Sequence, residues 1–240
     1  MTNTQTEESM SIASNLAEIR ARIEAACQRS RRDPDSVRLV AVSKTHPAEA
    51  VVAAAAAGQS IFGENYVQEF VAKADEVNVP VEWHFIGSLQ SNKVKYLAGR
   101  VAMIHSVDRF SLAEELDRQW GKLGRTLEIL IEVNLGAEES KGGTSASAAI
   151  ELVRTIATLS HLKICGLMTL PPFLEDAEAV RPYFRRLREL AECITAEEIP
   201  GVELRELSMG MSHDFEVAIE EGATLVRVGT AIFGARGANP

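Results

Sequence analysis

From Val37 onward, short β-branched apolar runs alternate with stretches whose apolar residues recur every three or four positions, the rhythm of strand–helix units packed as a parallel α/β fold. Eight strands are predicted: Val37–Ser43, Ser60–Gly63, Glu82–Gly87, Met103–Val107, Leu127–Asn134, Leu162–Thr169, Val202–Met209 and Thr224–Gly229. Between them the spacing predicts helices over Ala48–Ala57, Tyr66–Ala74, Leu112–Leu123, Ala146–Leu159, Ala177–Ile194 and Phe215–Glu221. Val180, Phe184, Leu187 and Ala191 share one helical face, as do Phe215, Ala218 and Ile219. Eight such units, at about 25 residues each, favour a closed (β/α)8 TIM barrel over an open doubly wound sheet. The unbroken runs LVAV and ILIEV suit strands buried on both faces. VELREL alternates instead, and reads as a strand half exposed or in contact with something polar. Ile12, Leu16, Ile19, Ile23 and Ala26 predict an extra N-terminal helix that caps the barrel bottom or packs outside it. Residues 1–10 read as a flexible tail and 11–240, without linker or long repeat, as one domain.

Composition narrows the function. Apolar residues at 46% and charged residues at 25% describe a globular chain with a sizeable core. The net charge of −9 opposes a broad basic surface for nucleic acid or anionic lipid, and 5% aromatics argues against a base-stacking platform. Cys27, Cys165 and Cys193 form no CxxC pair and have no histidine at metal-ligand spacing, so they are expected to be reduced and buried, with no metal site. The start MTNTQTEESM lacks signal-peptide regions and no long apolar run follows, so a cytoplasmic protein without a membrane partner is expected. No long exposed apolar stripe is evident, which favours a monomer.

Active sites of such barrels sit where the strands end. Lys44 closes the apolar run LVAVSK, where partial desolvation would lower its amine pKa and suit it to Schiff-base chemistry. The same pattern also fits a lysine whose head reaches solvent. SMGMS and VGTAIFG, after the last two strands, are small-residue loops opening toward helices, where this fold builds phosphate sites from backbone N–H groups. Taken singly, each also reads as an ordinary glycine turn. Together with the lysine they suggest a phosphorylated aldehyde as ligand. Alternation puts Arg227 on the same face as Gly229, pointing into the barrel near the ligand or into an interior salt bridge with Glu132 or Glu206. Lys93 and Lys141 are rival strand-end lysines amid polar neighbours, where an amine stays protonated, and the ESKGG loop could shape the mouth. GAEESKGG lacks the residue order of a nucleotide-binding loop. His46, His84, His105, His161 and His213 form no HExxH and read as core or loop packing.

LVAVSKT, FGENYVQE, WHFIGSLQSNK, HSVDR, NLGAEESKGG, GLMT and LSMGMSHDFEVAIEEGATLVRVGTAIFG, in this order from Val37 to Gly234, resemble the pyridoxal phosphate homeostasis protein family, which is similar in fold to the N-terminal barrel of alanine racemase. The resemblance implies that Lys44 forms the internal aldimine with pyridoxal 5'-phosphate (PLP). It implies that Ser212, Gly229 and Thr230 bind the phosphate and that Arg227 faces the pyridine nitrogen. Asn65 would lie beside the cofactor, with Ser208 and Gly210 shaping the phosphate loop. Phe215 stands where methionine is frequent, and His46 follows Lys44-Thr45; neither touches an implied contact.

An arginine at the ring nitrogen donates a hydrogen bond and supports carbanion chemistry weakly. Racemisation also needs a second acid–base group, which racemases resembling this barrel take from a tyrosine of an additional β domain. Six residues follow Gly234, so no such domain is expected, and Tyr66 reads as helix-start packing. The expectation is a carrier in vitamin B6 homeostasis rather than an enzyme, exchanging PLP with free amino acids or PLP-dependent apoenzymes. The alternatives are a weak amino-acid racemase, with Lys44 as one base and water or His46 opposite, and a Schiff-base aldolase.

Overall fold

The computed structural model describes residues 3–136 and 142–234, with side chains from residue 11 onward. Eight strands close into a parallel barrel: β1 (Arg38–Val42), β2 (Ile61–Glu64), β3 (Glu82–Phe85), β4 (Met103–Val107), β5 (Leu127–Asn134), β7 (Leu162–Met168), β8 (Glu206–Ser208) and β9 (Leu225–Val228). Their order is β4-β3-β2-β1-β9-β8-β7-β5, and β4–β5 pairing closes the ring. A two-residue strand, β6 (Thr144–Ser145), adds to β5 at Val133 and Asn134 outside the barrel.

The helices are α1 (Asn3–Arg29), α2 (Ala48–Ala56), α3 (Val67–Glu76), α4 (Phe110–Lys122), α5 (Ala146–Ile156), α6 (Arg181–Ala196), α7 (Phe215–Glu220) and α8 (Thr230–Phe233). A 3-10 helix over Ser91–Tyr96 stands between β3 and β4, where the sequence shows no 3.6-residue periodicity. A second one, Ala177–Val180, begins the helix predicted from Ala177, and Pro182 sits in the first turn of α6, where a missing N–H costs nothing.

Two apolar layers explain the strand sequences. Val40, Ile61, Met103, Leu130, Cys165, Met168 and Leu225 fill the barrel interior. Leu39, Ala41, Phe62, Trp83, Ile104, Ile129, Val226 and Val228, at alternating positions, face the helices. Both faces of the sheet are therefore dry, as the unbroken apolar runs require. The predicted strand Val202–Met209 is cut to Glu206–Ser208. Glu203 and Arg205 are exposed, and Arg205 reaches Glu128 at 2.5 Å and Glu206 at 3.5 Å. Charge pairing accounts for the polar half of VELREL, with only its end in the ladder.

Helix α1 packs outside the barrel, against α2, α7 and α8, rather than across its bottom. Ile12, Leu16, Ile19, Ile23 and Ala26 are all buried. Asn15 Nδ2 donates to the Ile232 carbonyl (2.8 Å), and Arg32 donates to those of Ile219 and Ala223 (2.7 and 2.8 Å). These bonds fix the two helices that follow the last two strands. Ile19→Val should cost about 0.5–1.5 kcal/mol of stability by removing one buried methylene, measured by urea denaturation. Cys27 and Cys165 are buried as expected, but Cys193 is exposed. It lies off the buried stripe of α6, formed by Phe184, Leu187, Ala191 and Ile194.

Candidate functional site

Ala41 of β1 is level with Val228 of β9, and Val42 with Gly63 of β2. Parallel pairing therefore brings Lys44, Asn65 and Gly229 to one rim. Lys44 is half-buried there, and its backbone is anchored on both sides. The buried Lys73 of α3 donates to the Ser43 carbonyl (2.7 Å), to Glu64 Oε1 (2.5 Å) and to Glu69 Oε1 (2.8 Å). Glu69 Oε1 also accepts the Thr45 amide at 2.5 Å, and Ser43 Oγ donates to Glu64 Oε1 at 2.7 Å. Thr45 has φ +66°, a left-handed conformation that a β-branched residue adopts only when its surroundings impose it. Burial pushes the Glu64 carboxyl above its ordinary pKa, and the Lys73 ammonium pulls it back down.

The loops after β8 and β9 meet across a narrow gap. The Arg227 amide donates to the Gly210 carbonyl (3.0 Å), and the Gly229 amide donates to Ser212 Oγ (3.4 Å). Asp214 Oδ1 accepts the Met211 amide at 2.7 Å and holds the first loop closed. Gly210 has φ +90°, and a Cβ there would lie 2.6 Å from Ala218 Cβ and 2.9 Å from Phe215 Cα. A Cβ on Gly229 would lie 3.0 Å from the Val42 carbonyl oxygen. Ile232 and Phe233 return their amides to the Gly229 carbonyl, so α8 starts immediately after Gly229. The amides of Thr230 and Ala231 then have no partner within the helix.

Arg227 lies inside the barrel, 3% exposed, donating to Ser208 Oγ (2.5 Å) and to the Thr169 carbonyl (2.9 Å). Burial brings its pKa down to about 10, against the fields of Glu132 and Asp214, so it is charged at neutral pH. The anticipated bridge to Glu206 is not formed: Glu206 Oε1 accepts Arg38 at 2.9 Å and Oε2 accepts Thr224 Oγ1 at 2.7 Å. Asn65 follows β2 directly, and its Oδ1 is buried without a hydrogen-bond partner among the described residues.

Glu132, on β5, has both carboxylate oxygens 3.5 Å from where a Gly142 Cβ would stand. Burial first and Asp108 second push its pKa from 4.5 to about 7, with Arg227 pulling down. The folded protein thus retains a proton that the unfolded chain gives up, and stability should fall as pH rises from 4.5 to about 7. Denaturation across that window should show the slope, and Glu132→Gln should flatten it.

Of the anticipated site residues, Lys44, Asn65, Ser208, Gly210, Ser212, Arg227, Gly229 and Thr230 all stand toward the C-terminal ends of the strands. Tyr66 does not pack at the start of α3: it is 56% exposed, because the packing face of that helix is carried by Val67, Phe70 and Lys73. Lys93 lies in the 3-10 helix 5.9 Å from the Tyr96 ring, and Lys141 falls outside the described residues. His84 and His105 are fully buried and bonded to one another, a pairing that sequence reading missed. Its one available signal was their inward strand parity, shared with Met103 on β4. Among the described residues, no cluster could hold a metal ion and no helix is long and apolar enough to cross a membrane.

A strand-end lysine, two facing glycine loops and a buried arginine on a closed parallel barrel define the class: residues 14–237 match the family described as alanine racemase, N-terminal domain. Alanine racemase from Corynebacterium glutamicum shares the fold, with a TM-score of 0.72 at 15% identity over 97% of this chain and 63% of that one. Similarity is much higher to the pyridoxal phosphate homeostasis protein of Aquifex aeolicus, 48% identical over 95% of this chain and 99% of that protein. PipY of Synechococcus elongatus, solved with PLP bound, is 40% identical with a TM-score of 0.81, covering 93% of this chain and 100% of that one. The chain belongs to the pyridoxal phosphate homeostasis protein family.

Proposed function

We propose that this protein binds pyridoxal 5'-phosphate at the barrel rim, attaches it through Lys44, and acts in vitamin B6 homeostasis as a carrier without robust catalysis. The observation that carries the reading is Arg227: a buried guanidinium fixed by Ser208 and Thr169, at the rim shared by Lys44 and the two glycine loops. The other residues also fit the group. Asn65 Oδ1 is a buried acceptor awaiting a donor. Gly210, Ser212, Gly229 and Thr230 stand together at the ends of β8 and β9, where the two glycines let the loops pack closely on Val42 and α7, and the backbone amides after Gly229 suit a phosphate.

The cofactor supplies a reactive aldehyde and an electron-withdrawing ring. Lys44 provides the amine, held at the rim by the clamp on its neighbouring peptides. Arg227 can only donate, so it would hold a ring nitrogen as an acceptor and would restrain electron withdrawal. This favours storage and exchange over removal of an α-proton. Tyr66 is 56% exposed, which disfavours it as an oriented second acid–base group. Exchange with free amino acids or PLP-dependent apoenzymes, as a cytoplasmic monomer, completes the reading.

Titration of the purified protein with PLP should give a saturable visible band, and amino-acid racemisation should not exceed that of free PLP. Racemisation far above free PLP and abolished in Lys44→Ala would replace the carrier by a weak racemase.

A further inference from the structure

Four strands contribute to one hydrogen-bond chain through the barrel interior. Glu82 Oε1 meets His84 Nε2 at 2.8 Å, His84 Nδ1 meets His105 Nε2 at 2.9 Å, and His105 Nδ1 meets Ser208 Oγ at 2.9 Å. Arg227 then donates to Ser208 Oγ at 2.5 Å. Both imidazoles are fully buried, whereas the Glu82 side chain, at the opposite end of the barrel, is 44% exposed.

With both rings neutral, the two ends fix every proton between them. A guanidinium only donates and a carboxylate only accepts. Burial holds His105 well below its ordinary pKa and therefore neutral. The bond from His84 holds Glu82 below the usual carboxylate range, so it is ionised at neutral pH. A neutral His84 must then carry its proton on Nε2, facing Glu82, which leaves Nδ1 as acceptor. His105 must donate from Nε2 to that nitrogen, which leaves its own Nδ1 to accept the Ser208 hydroxyl. Ser208 in turn offers Arg227 a lone pair. One direction satisfies all four bonds with both rings neutral.

We propose that Glu82, His84 and His105 are positioning residues, holding Ser208 and Arg227 in the orientation that presents the guanidinium to the ring nitrogen of the cofactor. The inference rests on the binding reading above, and it makes Glu82 a remote determinant of a site that it does not touch.

The proton arrangement is tested in protein freed of cofactor and labelled with 15N-histidine. Long-range 1H–15N spectra at neutral pH should show His84 and His105 both as neutral Nε2–H tautomers. Glu82→Leu removes the terminal acceptor from a half-exposed position and should leave the fold intact. It should change the tautomer signals, shift the visible band of added PLP and weaken PLP binding roughly fivefold, the loss of about one hydrogen bond. Glu82→Gln, which keeps an acceptor oxygen, should restore tautomers, band and affinity. An Nδ1–H or doubly protonated ring in the wild type, or a Glu82→Leu protein with unchanged band and affinity, would overturn the proposal. A wild type showing both tautomers without binding PLP would sink the binding reading and, with it, the role assigned to the chain.

Discussion

Lys73→Met should lower the unfolding free energy by about 3–5 kcal/mol, the cost of leaving a buried charge without its partner. Lys73 is 4% exposed and Glu64 is fully buried, and their 2.5 Å contact compensates both charges. Methionine fills a similar volume, so packing alone would cost less than about 1.5 kcal/mol. The change also releases the Ser43 carbonyl and one restraint on Glu69, the residue that fixes the strained Thr45 amide. PLP attachment to Lys44 should therefore slow as well. Urea denaturation with the single variant and with Lys73→Met/Glu64→Leu measures the coupling. The double variant should recover most of the loss. A single variant within about 1 kcal/mol of wild type would remove the clamp from the account.

Gly210→Ala should cost about 2–4 kcal/mol, from left-handed backbone strain and from overpacking against the start of α7. Its Cβ would meet Ala218 Cβ at 2.6 Å and Phe215 Cα at 2.9 Å, and backbone cannot yield cheaply. Gly201→Ala is the control: its φ is +79°, but nothing lies within 4 Å of the added atom. That variant should lose only about 1–2 kcal/mol, the conformational cost alone. Because the Gly210 carbonyl accepts the Arg227 amide, the overpacked loop should also lose PLP affinity, which the control keeps. Thermal melts and PLP titrations on both variants separate the two effects.

The strand–helix rhythm was legible because burial on both sheet faces leaves long apolar runs such as ILIEV, and that rhythm placed β4 and β5 with their observed limits. The ends of the last two strands were legible through their glycines, which the close approach of Val42 and α7 explains. The start of β8 was not, because Glu203 and Arg205 alternate like strand residues while their charges pair at the surface. The clamp on Lys44 was hidden for a different reason. The charges of Glu64, Glu69 and Lys73 give no local sign of burial, and only the packing of α3 on the barrel buries Glu64 and Lys73 and brings the half-buried Glu69 to them. The left-handed turn at Thr45 has no local sequence signal, since it is imposed by Glu69 from another element. The interior chain from Glu82 to Arg227 joins residues 145 positions apart in sequence, brought together by barrel closure alone.

Attachment at Lys44 is the central claim, and borohydride reduction of the PLP-loaded protein followed by peptide mapping tests it most directly. Reduction should convert a visible band into a permanent label on Lys44, absent from Lys44→Ala. A label on Lys93 or Lys141, or saturable binding with no reducible attachment, would contradict it.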